Sequence, residues 1–150
     1  MAAVARQVSV IGSGVEWEAA AEEVGRLLAE RDCVVVTGGL AEVMGAAHRG
    51  AKAAGGTTLA ILPGESRADA NPWADHVVVT GIGHARNLAV AASGDAVIAV
   101  GGSYGTTAEM ALGLRLGRRV VALEGAPEVA GALRATTPAG AVELALRDLG

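Results

Sequence analysis

The chain has almost no aromatic residues, and this shortage restricts the kind of core that it can build. Aromatic side chains make up 2% of its 150 residues and phenylalanine is absent, whereas apolar residues reach 51%. The core must therefore consist mainly of alanine, valine and leucine. A chain of this length and apolar content is expected to form one domain over residues 1–150.

Cysteine and an excess of positive charge are also missing. Cys33 is the only cysteine, so no internal disulfide can form, and we predict that it is a buried core thiol. One cysteine and three scattered histidines do not supply the ligand spacing of a zinc site, and we predict no metal and no cofactor. The net charge of −4 argues against a nucleic-acid partner, which would require clustered Lys and Arg.

Long hydrophobic segments are absent as well. The run "LAVAASGDAVIAV" is interrupted by Asp95 and falls short of the roughly 20 apolar residues that cross a bilayer. The beginning of the chain, "MAAVARQVSVIGSG", has no long apolar region of the kind found in secretory signals. The sequence therefore predicts a cytoplasmic protein without a membrane partner.

Short apolar segments alternate along the chain with longer amphipathic ones. The short segments predict strands over 7–11, 33–36, 57–62, 76–80, 96–100 and 118–123. The longer ones predict helices, among them 16–32, about 104–116 and a last helix with Thr137 as its cap and Pro138 as its first residue. This alternation indicates an α/β fold, a single doubly wound Rossmann-like domain with a mostly parallel sheet of about six to seven strands.

Glycine is abundant, with 22 residues, and its clusters follow the predicted strands. They are Gly12–Gly14, Gly38–Gly39, Gly81–Gly83 and Gly101–Gly105. Ligands of doubly wound sheets bind outside the carboxyl ends of the strands, so these loops are candidate binding segments.

The stretch "GGSYGTTAEM" that ends the fifth predicted strand has the features of an anion site. Free amides at a helix start attract phosphate, and the hydroxyls of Ser103, Thr106 and Thr107 add donors. A plain strand-to-helix turn with a serine cap is the alternative. A Walker loop does not fit because no lysine follows the glycines, and the dinucleotide fingerprint does not fit because Trp17 stands where "GSGVEW" would need a third glycine.

Three motifs together resemble one protein family. "GGSYGTTAE" is similar to the Pro-Gly-Gly-x-Gly-Thr-x-x-Glu signature of the LOG ("Lonely guy") phosphoribohydrolases, once mislabelled lysine decarboxylases. "GGLAEVMGAAHRGA" resembles the Gly-Gly-x-x-x-x-Met-Gly helix opening of that superfamily, and "GHARN" stands where it carries Met-His-x-Arg-Lys. The resemblance covers roughly residues 7–123. The segments "GAKAAGGTTLAILPG", "ANPWAD" and "TGIGHARN" resemble more closely a shorter branch of this SLOG superfamily, which includes the molybdenum cofactor carrier proteins.

The resemblance implies roles for individual residues. Arg86 and Glu109 match the residues that act at the N-glycosidic bond in the hydrolases, and the loop from Gly102 to Thr107 matches the one that holds the 5′-phosphate. The predicted phosphate- and nucleotide-binding residues are Gly12, Ser13, Gly14, Gly38, Gly39, Met44, His84, Gly101, Gly102, Ser103, Tyr104, Gly105, Thr106 and Thr107.

Three departures from the family pattern leave two functions open. Gly101 replaces the signature proline, Ser103 replaces its second glycine, and Asn87 replaces the lysine after the arginine. The first function is hydrolysis of a nucleoside 5′-monophosphate to free base and ribose 5-phosphate. In it Glu109 would stabilise an oxocarbenium-like sugar or activate water, and the donor fork of Arg86 would bind phosphate or sugar oxygens. The second is binding without turnover of a phosphorylated ligand, such as the molybdenum cofactor.

Other positions have weaker assignments. His84 either donates to a ligand phosphate or orients Arg86, or it is a turn residue without a role. We expect His48 and His76 to be structural or exposed, Trp73 to lie over the pocket, at a subunit contact or in the core, and Glu16 to face the strand ends. The stretches "LAVAA" and "MALGL" are more apolar than one small sheet requires, and the related families assemble, so the sequence predicts a homodimer or higher homo-oligomer.

Overall fold

Seven parallel strands and five α-helices alternate through residues 3–149, the part of the chain that the computed structural model describes. The strands are β1 (Gln7–Ser13), β2 (Val34–Thr37), β3 (Thr58–Leu62), β4 (His76–Val79), β5 (Ala96–Gly101), β6 (Arg119–Leu123) and β7 (Leu133–Ala135). The helices are α1 (Glu18–Glu30), α2 (Val43–Ala53), α3 (Arg86–Ser93), α4 (Tyr104–Arg115) and α5 (Pro138–Leu146). Three 3₁₀ turns lie at Val15–Trp17, Arg67–Asp69 and Gly83–Ala85.

The strands form one sheet in the order β4-β3-β2-β1-β5-β6-β7, and every neighbouring pair is parallel. The chain builds outward from β1 through β2, β3 and β4, then returns to the other side of β1 with β5. The predicted doubly wound α/β domain is therefore confirmed, with seven strands.

Helices cover both faces of the sheet, and β5 illustrates why its residues are all apolar. Ala96, Ile98 and Val100 point into the core beneath α1, α2 and α5. Val97 and Ala99 point into the opposite core, with Val90 of α3 and Met110 of α4. Because successive strand residues face opposite sides, a strand covered on both sides is mostly apolar, and a polar exception such as Ser9 of β1 is hydrogen-bonded, its hydroxyl donating to the Val90 carbonyl oxygen at 2.6 Å.

The order of connection reverses between β1 and β5, and the two strands approach each other closely at their carboxyl ends. Gly12 pairs with Val100, and a Cβ on Gly12 would lie 1.8 Å from the Val100 carbonyl oxygen. Glycine is therefore required here for the close approach. Such a reversal opens a crevice above the sheet, where doubly wound proteins bind their ligands.

The structure confirms one predicted element boundary, corrects another and adds a strand that was not predicted. The cap at Thr137 is confirmed, because its hydroxyl accepts from the Gly140 N–H at 3.0 Å and Pro138 begins α5. The helix predicted over 16–32 was too long, because a 3₁₀ turn precedes Glu18 and Asp32 adopts a left-handed φ of 58°. The short strand β7 was missed because its three residues are largely exposed and show no apolar run.

Cys33 is buried as predicted, immediately before β2. Within residues 3–149, no helix combines the length and the apolar character needed to cross a bilayer.

Candidate functional site

A cavity of about 500 Å³ lies at the carboxyl edge of the sheet, over the crevice between β1 and β5. Its wall contains most of the residues that the sequence predicted for a ligand site: Gly12, Ser13, Gly38, Met44, His84, Arg86, Ser103, Gly105, Thr106 and Glu109. Segments far apart in the sequence therefore meet around one space that is large enough for a small ligand.

The predicted phosphate loop forms one side of this cavity. Gly102 has a φ of 102°, and a Cβ there would lie 2.0 Å from the Thr106 hydroxyl oxygen, so the loop turns tightly over the first turn of α4. Ser103 makes no side-chain cap. Instead, its carbonyl oxygen accepts from the N–H and the hydroxyl of Thr107, at 2.9 and 3.0 Å. The amides that precede Thr107 in α4 are left without intrahelical partners, as an anion site requires.

Glu109 extends from α4 into the same cavity and is nine-tenths buried, with 9% of its surface exposed. No hydrogen bond within residues 3–149 includes its carboxyl group. Burial raises the pKa of this carboxyl to about 7, while the positive charge of Arg86 acts in the opposite direction. Because its carboxyl group faces the cavity and has no partner in the described part of the protein, Glu109 is well placed to contact a ligand.

Arg86 is the first residue of α3 and its guanidinium group is buried against the ends of β2 and β3. Its Nε donates to the Ile61 carbonyl oxygen at 3.0 Å, and one terminal nitrogen donates to the Gly38 carbonyl oxygen at 3.2 Å. The other terminal nitrogen donates to the side-chain oxygen of Asn87. Burial lowers the pKa of Arg86, and the charge of Glu109 partly offsets this effect.

Arg86 and Glu109 face one cavity, but no salt bridge of the described residues joins them. Arg86 uses its donors to hold three chain segments together, whereas Glu109 remains free. The two residues therefore differ in what they offer a ligand. The arginine supplies positive charge behind the cavity wall, and the carboxyl group supplies a direct contact.

Several predicted residues lie outside the lining of the cavity. The side chain of Tyr104 is 93% exposed and points into solvent. Gly101 and Gly102 lie behind the loop, where added side chains would meet Trp17 and Thr106. The others have hydrogen bonds within the protein: Gly14 N–H donates to Glu42, Gly39 N–H to Thr37, and the Thr107 hydroxyl to Ser103.

His48 supports the β2–α2 wall from inside. It is fully buried, with Nε2 3.2 Å from the Thr37 hydroxyl oxygen and Nδ1 3.2 Å from the side-chain nitrogen of Asn71. Asn71 also donates to the carbonyl oxygens of Gly39 and Leu40. Burial lowers the pKa of His48 to about 4, so the ring is neutral at pH 7 and acts structurally, one of the two outcomes that the sequence analysis gave. His76, by contrast, is exposed.

Trp73 lines a neighbouring cavity of about 450 Å³. The Arg49 guanidinium lies over its ring, 5.2 Å from the centroid, a cation–π contact. Leu40 borders both this cavity and the carboxyl-edge cavity. Trp73 is thus close to the candidate site without lining it.

A larger cavity, of about 680 Å³, lies at the opposite edge of the sheet. Residues that precede the strands line it, among them Arg6, Asp32, Asp95 and Arg118. The glycine clusters that follow β1, β2, β4 and β5 lie at the other edge, and ligands of doubly wound sheets bind at the carboxyl ends. Volume alone is therefore a poor guide, and we place the candidate site at the carboxyl edge.

Comparison with known proteins shows which family this chain belongs to. The model of the SLOG cluster4 family matches residues 5–144. The chain belongs to the SLOG cluster4 family. An uncharacterized protein of Archaeoglobus fulgidus is 42% identical over 139 residues, which are 91% of each chain. The resemblance to the SLOG superfamily that the motifs carried is therefore confirmed.

Two solved structures of similar proteins come from molybdenum cofactor proteins. The molybdenum cofactor binding protein of the phototrophic bacterium Rippkaea orientalis superposes with a TM-score of 0.89 at 30% identity, covering 95% of this chain and 96% of that one. The molybdenum cofactor carrier protein of Chlamydomonas reinhardtii gives a TM-score of 0.83 at 33% identity, over 93% and 94% of the two chains.

Sequence reasoning missed five residues that line the cavity of this SLOG cluster4 protein: Val10, Ile11, Leu40, Pro63 and Asn87. Asn87 was noted only as a departure from the hydrolase motif, yet it binds the Arg86 guanidinium and faces the cavity. Pro63 follows β3, so the rule that ligand loops follow the carboxyl ends of strands could have identified it, as it did the Gly81–Gly83 loop whose Gly83 lines the cavity.

Proposed function

We propose that this protein binds a phosphorylated small molecule, such as the molybdenum cofactor, in the carboxyl-edge cavity and releases it unchanged. The observation that carries the proposal is that the donors of the Arg86 guanidinium group are already hydrogen-bonded within the protein. Its donors are engaged by the Ile61 and Gly38 carbonyl oxygens and by Asn87, so the fork that would hold a substrate sugar is already occupied. A similar protein named as a molybdenum cofactor carrier supports a carrying role.

The phosphate group would bind at the start of α4. Gly105 and Thr106 line the cavity there, and the amides of the first helical turn point toward the space beyond. The helix dipole adds favourable potential for an anion. The ten predicted residues that line the cavity would surround the rest of the ligand, and we propose a cytoplasmic location for such a carrier.

The proposal is tested by what remains bound to the protein when it is purified from a bacterium that makes molybdenum cofactor. We expect mass spectrometry and the absorbance spectrum to identify a phosphorylated compound at a stoichiometry near one per cavity. The Gly105→Val variant, purified in parallel, should retain none. Recovery of equal amounts from both proteins would refute binding at this cavity.

The unpaired Glu109 carboxyl favours a second candidate function, hydrolysis of a nucleoside 5′-monophosphate. A buried carboxyl with a pKa raised to about 7 has the character of a general acid or base, and it faces the predicted phosphate loop. In that case AMP or a related monophosphate should yield free base. Glu109→Gln should then lower the rate by roughly a hundredfold or more, because the acid–base group is lost.

The same Glu109→Gln variant separates the two functions through pH. In the wild type the raised pKa means that the carboxyl ionises as pH rises through about 7, which places a negative charge beside the ligand phosphate. Affinity for a monophosphate should therefore fall from pH 6 to pH 8 more in the wild type than in the variant. A carrier will show this difference without base release from any common monophosphate, whereas base release abolished by the substitution would favour the enzyme.

We further propose that the protein forms a homodimer through the outer faces of α3 and α4. Leu88 on α3 is 48% exposed, and Ala108 and Ala111 on α4 are exposed beside it in the packed helix pair. Light scattering at micromolar concentration should give twice the mass of the chain. Leu88→Glu should give the monomer, because a charge would be buried in the interface, whereas Val4→Glu, at an exposed valine outside α3 and α4, should not. A monomeric wild type would contradict the proposal.

A further inference from the structure

Glu42 has a backbone conformation that its side chain makes unfavourable. Its φ is 55° and its ψ is −126°, a combination that glycine adopts readily and residues with a Cβ rarely do. Its carbonyl oxygen begins α2 by accepting from the Ala46 N–H at 2.8 Å. Such conformations cost of order 1–3 kcal/mol and persist where the surrounding structure holds them.

The Glu42 carboxylate forms a hydrogen bond with the loop that follows β1. One of its oxygens accepts from the Gly14 N–H at 3.0 Å. Gly12 and Ser13, immediately before, line the carboxyl-edge cavity, while Glu42 lines the neighbouring cavity beside Trp73. The hydrogen bond thus places a negative charge at the border between the two cavities.

The position matters because β1 is the central strand beside the reversal of the sheet. In doubly wound proteins the pyrophosphate of a bound dinucleotide uses the amides of the loop after this strand. Here a carboxylate of the protein itself occupies the Gly14 amide. A second phosphate that extended from the α4 loop toward β1 would lose that donor and meet a like charge.

We infer that Glu42 is a specificity-determining residue that restricts this site to ligands with one phosphate group. The inference rests on the proposed function, since it takes the first phosphate to bind at the α4 loop. It predicts that the protein binds pyrophosphate compounds, such as nucleoside diphosphates and dinucleotides, more weakly than monophosphates. The Glu42 carboxylate already occupies the Gly14 amide, and its negative charge repels a second phosphate.

The test measures the affinities of inorganic phosphate and inorganic pyrophosphate by ³¹P NMR titration without divalent cations, in wild type and three variants. Glu42→Gly removes the side chain and suits the local backbone, so this variant should fold at least as well as the wild type. Glu42→Gln removes only the charge. Glu16→Gln is the matched control, because Glu16 is exposed near Gly14 and its side chain is absent from the hydrogen bonds of the described residues.

The measured quantity is the dissociation constant for pyrophosphate divided by that for phosphate. We expect Glu42→Gly to lower this ratio at least about tenfold and Glu42→Gln to lower it less, while Glu16→Gln leaves it within about twofold, because the Gly14 N–H donates to Glu42 and not to Glu16. An unchanged ratio in Glu42→Gly, or an equal fall in Glu16→Gln, would overturn the role of Glu42. Absence of phosphate binding in the wild type would instead refute the proposed function and the inference with it.

Discussion

The Gly105→Val variant is expected to fold normally and to lose its phosphorylated ligand, with an affinity at least about a hundredfold below that of the wild type. Gly105 is the second residue of α4 and lines the cavity. A Cβ built there has no atom within 4 Å, so the added side chain would occupy only the space left for the ligand. Valine is also a better helix former than glycine, which protects the fold.

The large effect follows from where the valine side chain would stand. A phosphate bound by helix-start amides must approach the backbone directly, and two added methyl groups would keep it beyond hydrogen-bonding distance. A hundredfold loss of affinity corresponds to about 2.7 kcal/mol, about what a few charge-assisted hydrogen bonds supply. Gly102 would be a poor choice for this test, because a Cβ there would collide with Thr106 and disturb the loop itself.

Calorimetric titration with the ligand that co-purifies, or with a monophosphate, measures this effect. Ala139→Val is the matched control, since Ala139 is the exposed second residue of α5 and lies outside the cavity. Gly105→Ala should show an intermediate loss. Unchanged affinity in a folded Gly105→Val protein would place the phosphate elsewhere, and a crystal with phosphate at the amino edge of the sheet would reject the site altogether.

Replacement of Arg86 by alanine is expected to lower the free energy of unfolding by roughly 2–4 kcal/mol, a large part of the stability of a small domain. The guanidinium group holds the ends of β2 and β3 to α3 through the Gly38 and Ile61 carbonyl oxygens. Without it, buried acceptors lose a charged donor, and the Glu109 carboxyl loses the nearby positive charge that stabilises its ionised form.

Urea denaturation compares this variant with Arg86→Lys and with Arg115→Ala. Lysine keeps the charge but cannot reproduce the planar fork, so Arg86→Lys should recover only part of the loss. Arg115 is exposed at the end of α4, and its removal should change stability by less than about 0.5 kcal/mol. If Arg86→Ala were as stable as the wild type but unable to bind ligand, Arg86 would act on the ligand directly, as the hydrolase resemblance implied.

Much of the fold could be predicted because its signals are local. The unbroken apolar runs "VVV" and "AVIAV" identify strands that are covered on both faces, and the glycines after them mark the turns at the carboxyl edge. Strand–helix alternation then leaves few topologies, since parallel crossovers are right-handed. The strand β7 could not be predicted in this way, because Leu133 and Arg134 are exposed and show no periodic pattern.

The candidate site was predictable in position but not in its internal contacts. The glycine loops and the motif residues Arg86 and Glu109 meet around one cavity because all of them follow strands of one parallel sheet. The sequence could not indicate that Arg86 would bond to the carbonyl oxygens of Ile61 and Gly38, which are 25 and 48 residues away in the chain. Nor did it single out Glu42, whose contact with Gly14 spans 28 residues.

The sequence by itself determined the parallel α/β architecture, the edge of the sheet that carries the loops, and membership of the SLOG superfamily. Those properties depend on periodicity, turn residues and motif spacing, which are features of neighbouring residues. Only the tertiary structure decided which polar groups are satisfied and which are free. The reason is that hydrogen bonding and burial depend on distances between segments that are remote in the chain. Only the assembled sheet shows that Arg86 is hydrogen-bonded, that Glu109 has no partner, and that the Glu42 carboxylate accepts from the Gly14 amide.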